Sequence, residues 1–147
     1  MPLRRLTLAA VAALAPVLFA APAVAAPMPL PLPYEHGDHL TVTVTDSGSF
    51  DGTYDLYCHP AGGTHPRAKK ACAQLDGQTR WGKDAFAPVP ADAMCTMIYG
   101  GDQKARVTGT WAGRPVDARF DRTNGCEIAR WNKFSELLGD LRSTPKG

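Results

Sequence analysis

The sequence predicts an α+β domain, an antiparallel sheet with helices. Three observations predict it. Four short stretches alternate apolar with polar residues and fall into two adjacent pairs joined by turns. Two further stretches repeat apolar residues at helical spacing, one after each pair. Four cysteines, Cys58, Cys72, Cys95 and Cys126, form an even set in a small chain, which reads as two disulfides. The element order is β-β-α-loop-β-β-α.

The chain has 147 residues, 44% hydrophobic and 20% charged, which suits one globular domain. Arg4 and Arg5, the apolar run Leu6 to Ala21 and the small residues Ala23-Val24-Ala25 read as a secretory signal over 1–25. Pro16 and Pro22 disfavour a spanning helix there, and no later segment is long and apolar enough to cross a membrane. The mature protein is thus expected to be secreted and extracellular. Arg4 and Arg5 also supply the whole net charge of +2, so the mature chain is near neutral. A nucleic-acid partner, which needs a basic patch, is not expected.

Residues 26–37 begin Ala-Pro-Met-Pro-Leu-Pro-Leu-Pro and read as a flexible proline-rich arm. The domain proper is expected over 38–147. Leu40, Val42 and Val44 alternate with Thr41, Thr43 and Thr45, giving the first strand. Ser47-Gly48-Ser49 turns the chain into a second strand over 50–58, with Tyr54, Leu56 and Cys58 on one face. Pro60 to Gly63 reads as a tight loop. Thr64 is placed to cap a helix starting near Pro66, on which Ala68, Ala71, Cys72 and Leu75 share a face until Gly77 stops it. Residues 78–93 read as mostly loop. Ala105, Val107 and Trp111 alternate with Arg106, Thr108 and Thr110; Ala112-Gly113 turns into Val116, Ala118 and Phe120. A last helix is expected over 127–141, with Trp131, Phe134, Leu138 and Leu141 along one side.

Little in the chain supports catalysis. None of the serines sits in a nucleophile elbow, the cysteines are committed to disulfides, and no paired-carboxylate motif stands out. His36 and His39 lie in or beside the arm; His59 and His65 flank a Pro-Gly loop and are expected to cap or face solvent. No cysteine pair has zinc-knuckle spacing, so neither a metal nor a cofactor is expected. Trp111 and Trp131 fall on apolar faces, whereas Trp81, in the loop, is the one that could serve a sugar-binding platform. The informative segment is Met94-Cys95-Thr96-Met97-Ile98-Tyr99, where three apolar side chains crowd around a cysteine. A buried strand explains it most simply and is the reading that composition alone favours. The alternative is a protruding, disulfide-anchored loop of the kind a substrate-mimicking protease inhibitor presents, a setting that Pro90 and Gly100-Gly101 favour.

Several pieces of the chain, between Leu40 and Cys126, together resemble one family, the Streptomyces subtilisin inhibitors. They are Leu40-Thr41-Val42-Thr43-Val44, Cys58-His59-Pro60-Ala61-Gly62-Gly63-Thr64-His65-Pro66, Ala71-Cys72 with Leu75 close behind, Met94 to Tyr99, Gly109-Thr110-Trp111-Ala112-Gly113, and Asn124-Gly125-Cys126-Glu127. The resemblance implies a five-stranded antiparallel sheet with two helices, a homodimer packed through the sheets, and disulfides Cys58–Cys72 and Cys95–Cys126. It also implies a secreted inhibitor of subtilisin-like serine proteases, and of chymotrypsin-like ones secondarily, whose scissile bond is Met97–Ile98. By the strand count, the fifth strand must come from around residues 86 to 95. Asn124 is placed to hydrogen-bond the loop from beneath, or is a simple turn asparagine. Two features depart from the family. Thr96 stands where many relatives carry proline, and it makes the piece similar to the Cys-Thr-apolar-x-Tyr loop of Kazal-type inhibitors. The end, Ile128 to Gly147, is longer and more helical than in typical relatives. A second role that the family implies is that of an interaction protein or transglutaminase substrate, using Gln74, Gln78, Gln103 and exposed lysines.

Overall fold

The computed structural model describes residues 25–28 and 37–141. The signal segment and the arm fall outside them, apart from 25–28 and Gly37. The chain divides at Leu30, and the unit that follows carries the fold. Its elements are β1 (Asp38–Thr45), β2 (Gly52–Cys58), β3 (Gly62–Gly63), α1 (Ala68–Gln78), β4 (Lys104–Trp111), β5 (Arg114–Phe120), α2 (Gly125–Lys133) and α3 (Ser135–Leu138). They form one five-stranded antiparallel sheet, ordered β3-β2-β1-β4-β5.

The period-2 pattern sets which face is covered. On β1, Leu40, Val42 and Val44 are buried, and the threonines between them point the other way. Val42 stands opposite Tyr54 of β2 and Val107 of β4, so the most regular strand lies at the centre. Leu56, Val107, Ala118 and Phe120 extend the apolar face, and Leu75, Trp131, Leu137 and Leu138 of the helices, with Phe134 between α2 and α3, close over it. The opposite face is polar. Thr43 and Thr53 share a hydrogen bond across β1 and β2, and Arg106 grips Asp117 through two bonds of 2.9 Å.

The fifth strand comes from Gly62–Gly63, not from residues 86–95. Gly62 and Gly63 pair with Tyr57 and Leu56 at the sheet edge. A Cβ on Gly63 would stand 2.2 Å from the Asp55 carbonyl oxygen, and its φ is +97°, so only glycine lets the backbones approach this closely. Residues 86–95 cannot act as a strand in the same way, because Pro88 and Pro90 lack the N–H groups a ladder needs. A side chain holds them instead: the Arg130 guanidinium donates to the carbonyls of Phe86 and Ala87 at 2.9 and 3.0 Å.

Three helix boundaries also differ from expectation. Thr64 caps no helix; its hydroxyl accepts the Asp55 N–H at 2.8 Å and tightens the β2–β3 edge. Helix α1 begins at Ala68 and runs through Gly77. It closes where the Thr79 hydroxyl donates to the Leu75 carbonyl and, in turn, accepts the Trp111 indole N–H. The last helix breaks at Phe134, whose φ of −112° is not helical. The break drops Phe134 against Phe120 and Phe86, with ring centroids 5.1 and 5.3 Å away. The expected apolar side survives the break, since Trp131, Phe134 and Leu138 are all buried.

His39 lies just past the arm, as read, whereas His65 departs from the sequence reading. His39 belongs to β1, stacked on Tyr57 and bonded to Asp55. His65 is 4% exposed, neither cap nor surface residue. Its Nε2–H donates to the Leu137 carbonyl at 2.9 Å and its Nδ1 accepts the Arg67 N–H, which fixes a neutral ring tying α1 to α3.

Candidate functional site

The β4–β5 hairpin and helix α2 meet in a short turn, Asp121 to Asn124. Its geometry is set by polar side chains. The Asp121 carboxylate accepts the Thr123 N–H and hydroxyl. Asn124 takes an extended conformation, and its Oδ1 accepts the N–H groups of Cys126 and Glu127 at 2.9 and 3.0 Å. It is the N-cap of α2. The turn and the first turn of α2 form the floor on which the segment Ala93 to Gly101 rests.

That segment is irregular, and its large side chains stand in solvent. Met94 is 98% exposed, Met97 92%, Ile98 62% and Tyr99 61%. These values decide between the two sequence readings, because a buried strand exposes none of them. Such apolar side chains left together in water mark a surface that meets another molecule.

The loop is pinned on both sides of its tip. Before the tip, Cys95 is bonded to Cys126, with Cα atoms 5.3 Å apart, and the Thr96 carbonyl accepts the Gly125 N–H at 3.0 Å. After the tip, the Gly100 N–H donates to the Arg122 carbonyl at 2.7 Å, and the Arg122 Nε donates back to the Gly100 carbonyl at 3.4 Å. Met97, Ile98 and Tyr99 bridge the two anchors. The Tyr99 hydroxyl donates to the Asp102 carboxylate, and that bond holds the phenol above its ordinary pKa.

Both anchors need small residues. A Cβ on Gly125 would lie 2.0 Å from the Thr96 hydroxyl oxygen, and one on Gly100 would lie 2.8 Å from Ile128 Cγ1. Sequence reading found Met94, Cys95, Thr96, Met97, Ile98, Tyr99, Asn124 and Cys126, and the structure brings all of them to one surface. It missed Gly100, Gly125 and Arg122 as anchors. The two glycines carry a signal, one beside a cysteine and one in a Gly-Gly pair. Arg122 carries none, since an arginine ending a strand pattern reads as solvent-facing. Among the described residues the Asn124 side chain makes no hydrogen bond to the loop; its Oδ1 caps α2 at Cys126 and Glu127.

The other candidates lie apart. Trp81 is fully exposed shortly after α1, at a cavity of about 480 Å³ that it lines with Trp111, Arg114 and Val116 among others. Gln74 and Gln78 are engaged in holding α1 to the C-terminal helices: the Gln74 amide binds Ser135 and the Glu136 N–H, and the Gln78 amide donates to the Lys133 carbonyl. Among the described residues, no group of three or more His, Cys, Asp or Glu is placed to hold a metal ion.

A small sheet-and-helix domain, cross-linked by Cys58–Cys72 and Cys95–Cys126, presents one braced apolar loop. Fold and site together define a loop-presenting domain. The subtilisin inhibitor-like family matches residues 32–124, and the chain belongs to that family. Subtilisin inhibitor-like protein 1 of Streptomyces cacaoi is 35% identical over 78 residues, which are 51% of this chain and 68% of that protein. Among solved structures, Streptomyces caespitosus sermetstatin in complex with Bacillus licheniformis subtilisin matches at 23% identity and a TM-score of 0.40, covering 67% of this chain and 94% of the other.

Proposed function

We propose that the protein is an exported inhibitor of subtilisin-like serine proteases, and of chymotrypsin-like ones secondarily. Met94 to Tyr99 enter the protease cleft as a substrate does, with Met97 in the specificity pocket and Met97–Ile98 as the bond attacked. One observation carries the reading: an exposed apolar tip held between two anchors that rise from the same floor. A free peptide loses its freedom on binding, whereas this loop is ordered beforehand, so less affinity is lost to ordering. The cleft binds an extended segment through main-chain bonds, and alternate side chains fill its pockets.

The chemistry explains inhibition rather than digestion. The protease serine oxygen bonds to the Met97 carbonyl carbon, the Met97–Ile98 C–N bond breaks, and the serine proton passes through the protease histidine to the Ile98 nitrogen. In a peptide the new amine diffuses away and water attacks the ester. In this loop the amine stays beside the ester. It attacks the carbonyl carbon, expels the serine oxygen and returns the proton by the same route, restoring the peptide bond. High effective concentration favours this return over hydrolysis.

Met97 is long, apolar and adaptable, which suits a broad apolar pocket. It has no charge to offer the buried carboxylate of a trypsin-like pocket. The reading includes a homodimer through the polar face of the sheet. Its support is that Arg106 and Asp117 on that face are paired within one chain, so this pair brings no net charge to a second copy. Titrating subtilisin with the purified protein tests the function. A linear loss of activity to a sharp equivalence point is expected; undiminished activity at molar excess overturns the reading.

A further inference from the structure

Arg122 is a buried cation that folding alone does not explain. It is 7% exposed. Burial pulls its pKa below the usual arginine range, and no carboxylate among the described residues pairs with it. Its head meets the Gly100 carbonyl, the Asn132 side-chain oxygen at 3.3 Å and the face of Trp131 at 5.9 Å. The buried Arg130 differs, with Glu127 beside it and three backbone carbonyls around it. An unpaired buried charge costs stability, and an apolar side chain of similar size often costs less.

The position suggests what the charge does. The Cys95–Cys126 bridge holds only the part of the loop before Met97–Ile98. Once that bond is broken, Ile98 and Tyr99 are tethered through Gly100 alone on this floor. Gly100 is held from Arg122 by one backbone bond and one side-chain bond.

We propose that Arg122 is a positioning residue that retains the amine-bearing half of the cut loop, so that resynthesis outruns hydrolysis. It touches neither protease nor scissile bond. It acts through Gly100, and it is anchored to α2 through Asn132 and Trp131. The assignment rests on the inhibitor reading above.

Its test compares the whole mature protein with Arg122→Met, which keeps length and contact with Trp131 but donates nothing. Each is incubated with catalytic subtilisin until the ratio of nicked to intact inhibitor is constant. Arg122→Met should shift that ratio toward the nicked form by about tenfold and shorten the lifetime of inhibition, since a charged hydrogen bond is lost. Its association rate should stay within about twofold, and Arg122→Lys, which keeps the charge without the planar Nε, should fall between the two. Val44→Ala, under the centre of the sheet, controls for lost stability. An unchanged ratio in Arg122→Met overturns the assignment. So does a Val44→Ala protein that is nicked as readily at equal loss of thermal stability. A wild-type protein that fails to inhibit subtilisin, or is cut throughout, overturns the inhibitor reading itself and the role of Arg122 with it.

Discussion

On the proposed reading, Met97 is the side chain that enters the protease pocket. It is almost wholly exposed, so a substitution there should alter the proposed target and leave the scaffold intact. Met97→Lys should gain trypsin inhibition by about a hundredfold, the range expected when a buried charge pair forms at an interface. Competitive assays against trypsin and subtilisin check it, and an unchanged ratio of the two would mean that another residue fills the pocket. His65 shows the opposite case, a side chain set by its surroundings. Burial lowers its pKa from the usual 6.5; the bond to Leu137 opposes this, and the Arg67 charge adds to it. The unfolded chain therefore takes up a proton near pH 6.5 that the folded protein refuses, and stability falls as pH drops from there toward the lowered value. His59, between Asp76 and Asp38, has a raised pKa, chiefly from its bond to Asp76. Its contribution is full below 6.5 and is lost as pH rises through the raised value. Melting temperatures between pH 7 and pH 5 should thus fall less steeply in His65→Gln than in wild type. Burial of this kind is invisible to a sequence reading that places a histidine beside Pro and Gly and sends it to solvent. The tryptophans were legible because their neighbours repeat: Trp111 and Trp131 sit on apolar faces and are buried, while Trp81 lies in a loop and is exposed.

At the scale of elements, periodicity carried most of the information. β1, β4 and β5 follow their apolar alternation closely, and β2 loses only its first two residues to the turn. What failed was decided by contacts between distant backbones. Gly62-Gly63 looks like a turn, and becomes a strand only because β2 offers an edge that a glycine can approach. Gly63→Ala should therefore cost about 1–3 kcal/mol, from the strained φ and the clash with the Asp55 carbonyl, measured by chemical denaturation. A cost near zero would mean that β3 does not constrain the edge. The interruption at Phe134 was equally hidden, because the apolar spacing runs on across it and only the packing of Phe134 on Phe120 breaks the helix. Asn124 had two readings in sequence. The structure gives its side chain a cap on α2. Asn124→Ala should lose about 1 kcal/mol and, if the cap positions the loop floor, should also increase the rate at which subtilisin degrades the protein. Stability loss without faster degradation would confine Asn124 to the helix.

Across the whole molecule, two cross-links support a small core. The bridge Cys58–Cys72 closes a separation of 14 residues and Cys95–Cys126 one of 31. On the chain-entropy account they contribute about 3 and just under 4 kcal/mol. Their roles differ, since the first pins α1 to β2 inside the core and the second fixes the exposed loop. Four cysteines alone left three pairings open; the family resemblance chose the pairing that the structure contains. The loop was legible for the same reason. Composition alone favoured a buried strand over a protruding loop; the wider resemblance chose the loop, and Met94 and Met97 are exposed. The anchors beyond it, Gly100 and Arg122, belong to the floor and emerge only from the folded arrangement. The central claim is that this loop is offered to a protease as a substrate that is not released, with Met97–Ile98 as the bond. The most direct measurement is mass spectrometry of the protein after long incubation with catalytic subtilisin at low pH, before and after reduction. The account predicts a single nick between Met97 and Ile98, with the two pieces held together by Cys95–Cys126 until the disulfides are reduced. A nick after Met94, or loss of the whole domain to small peptides, would contradict it.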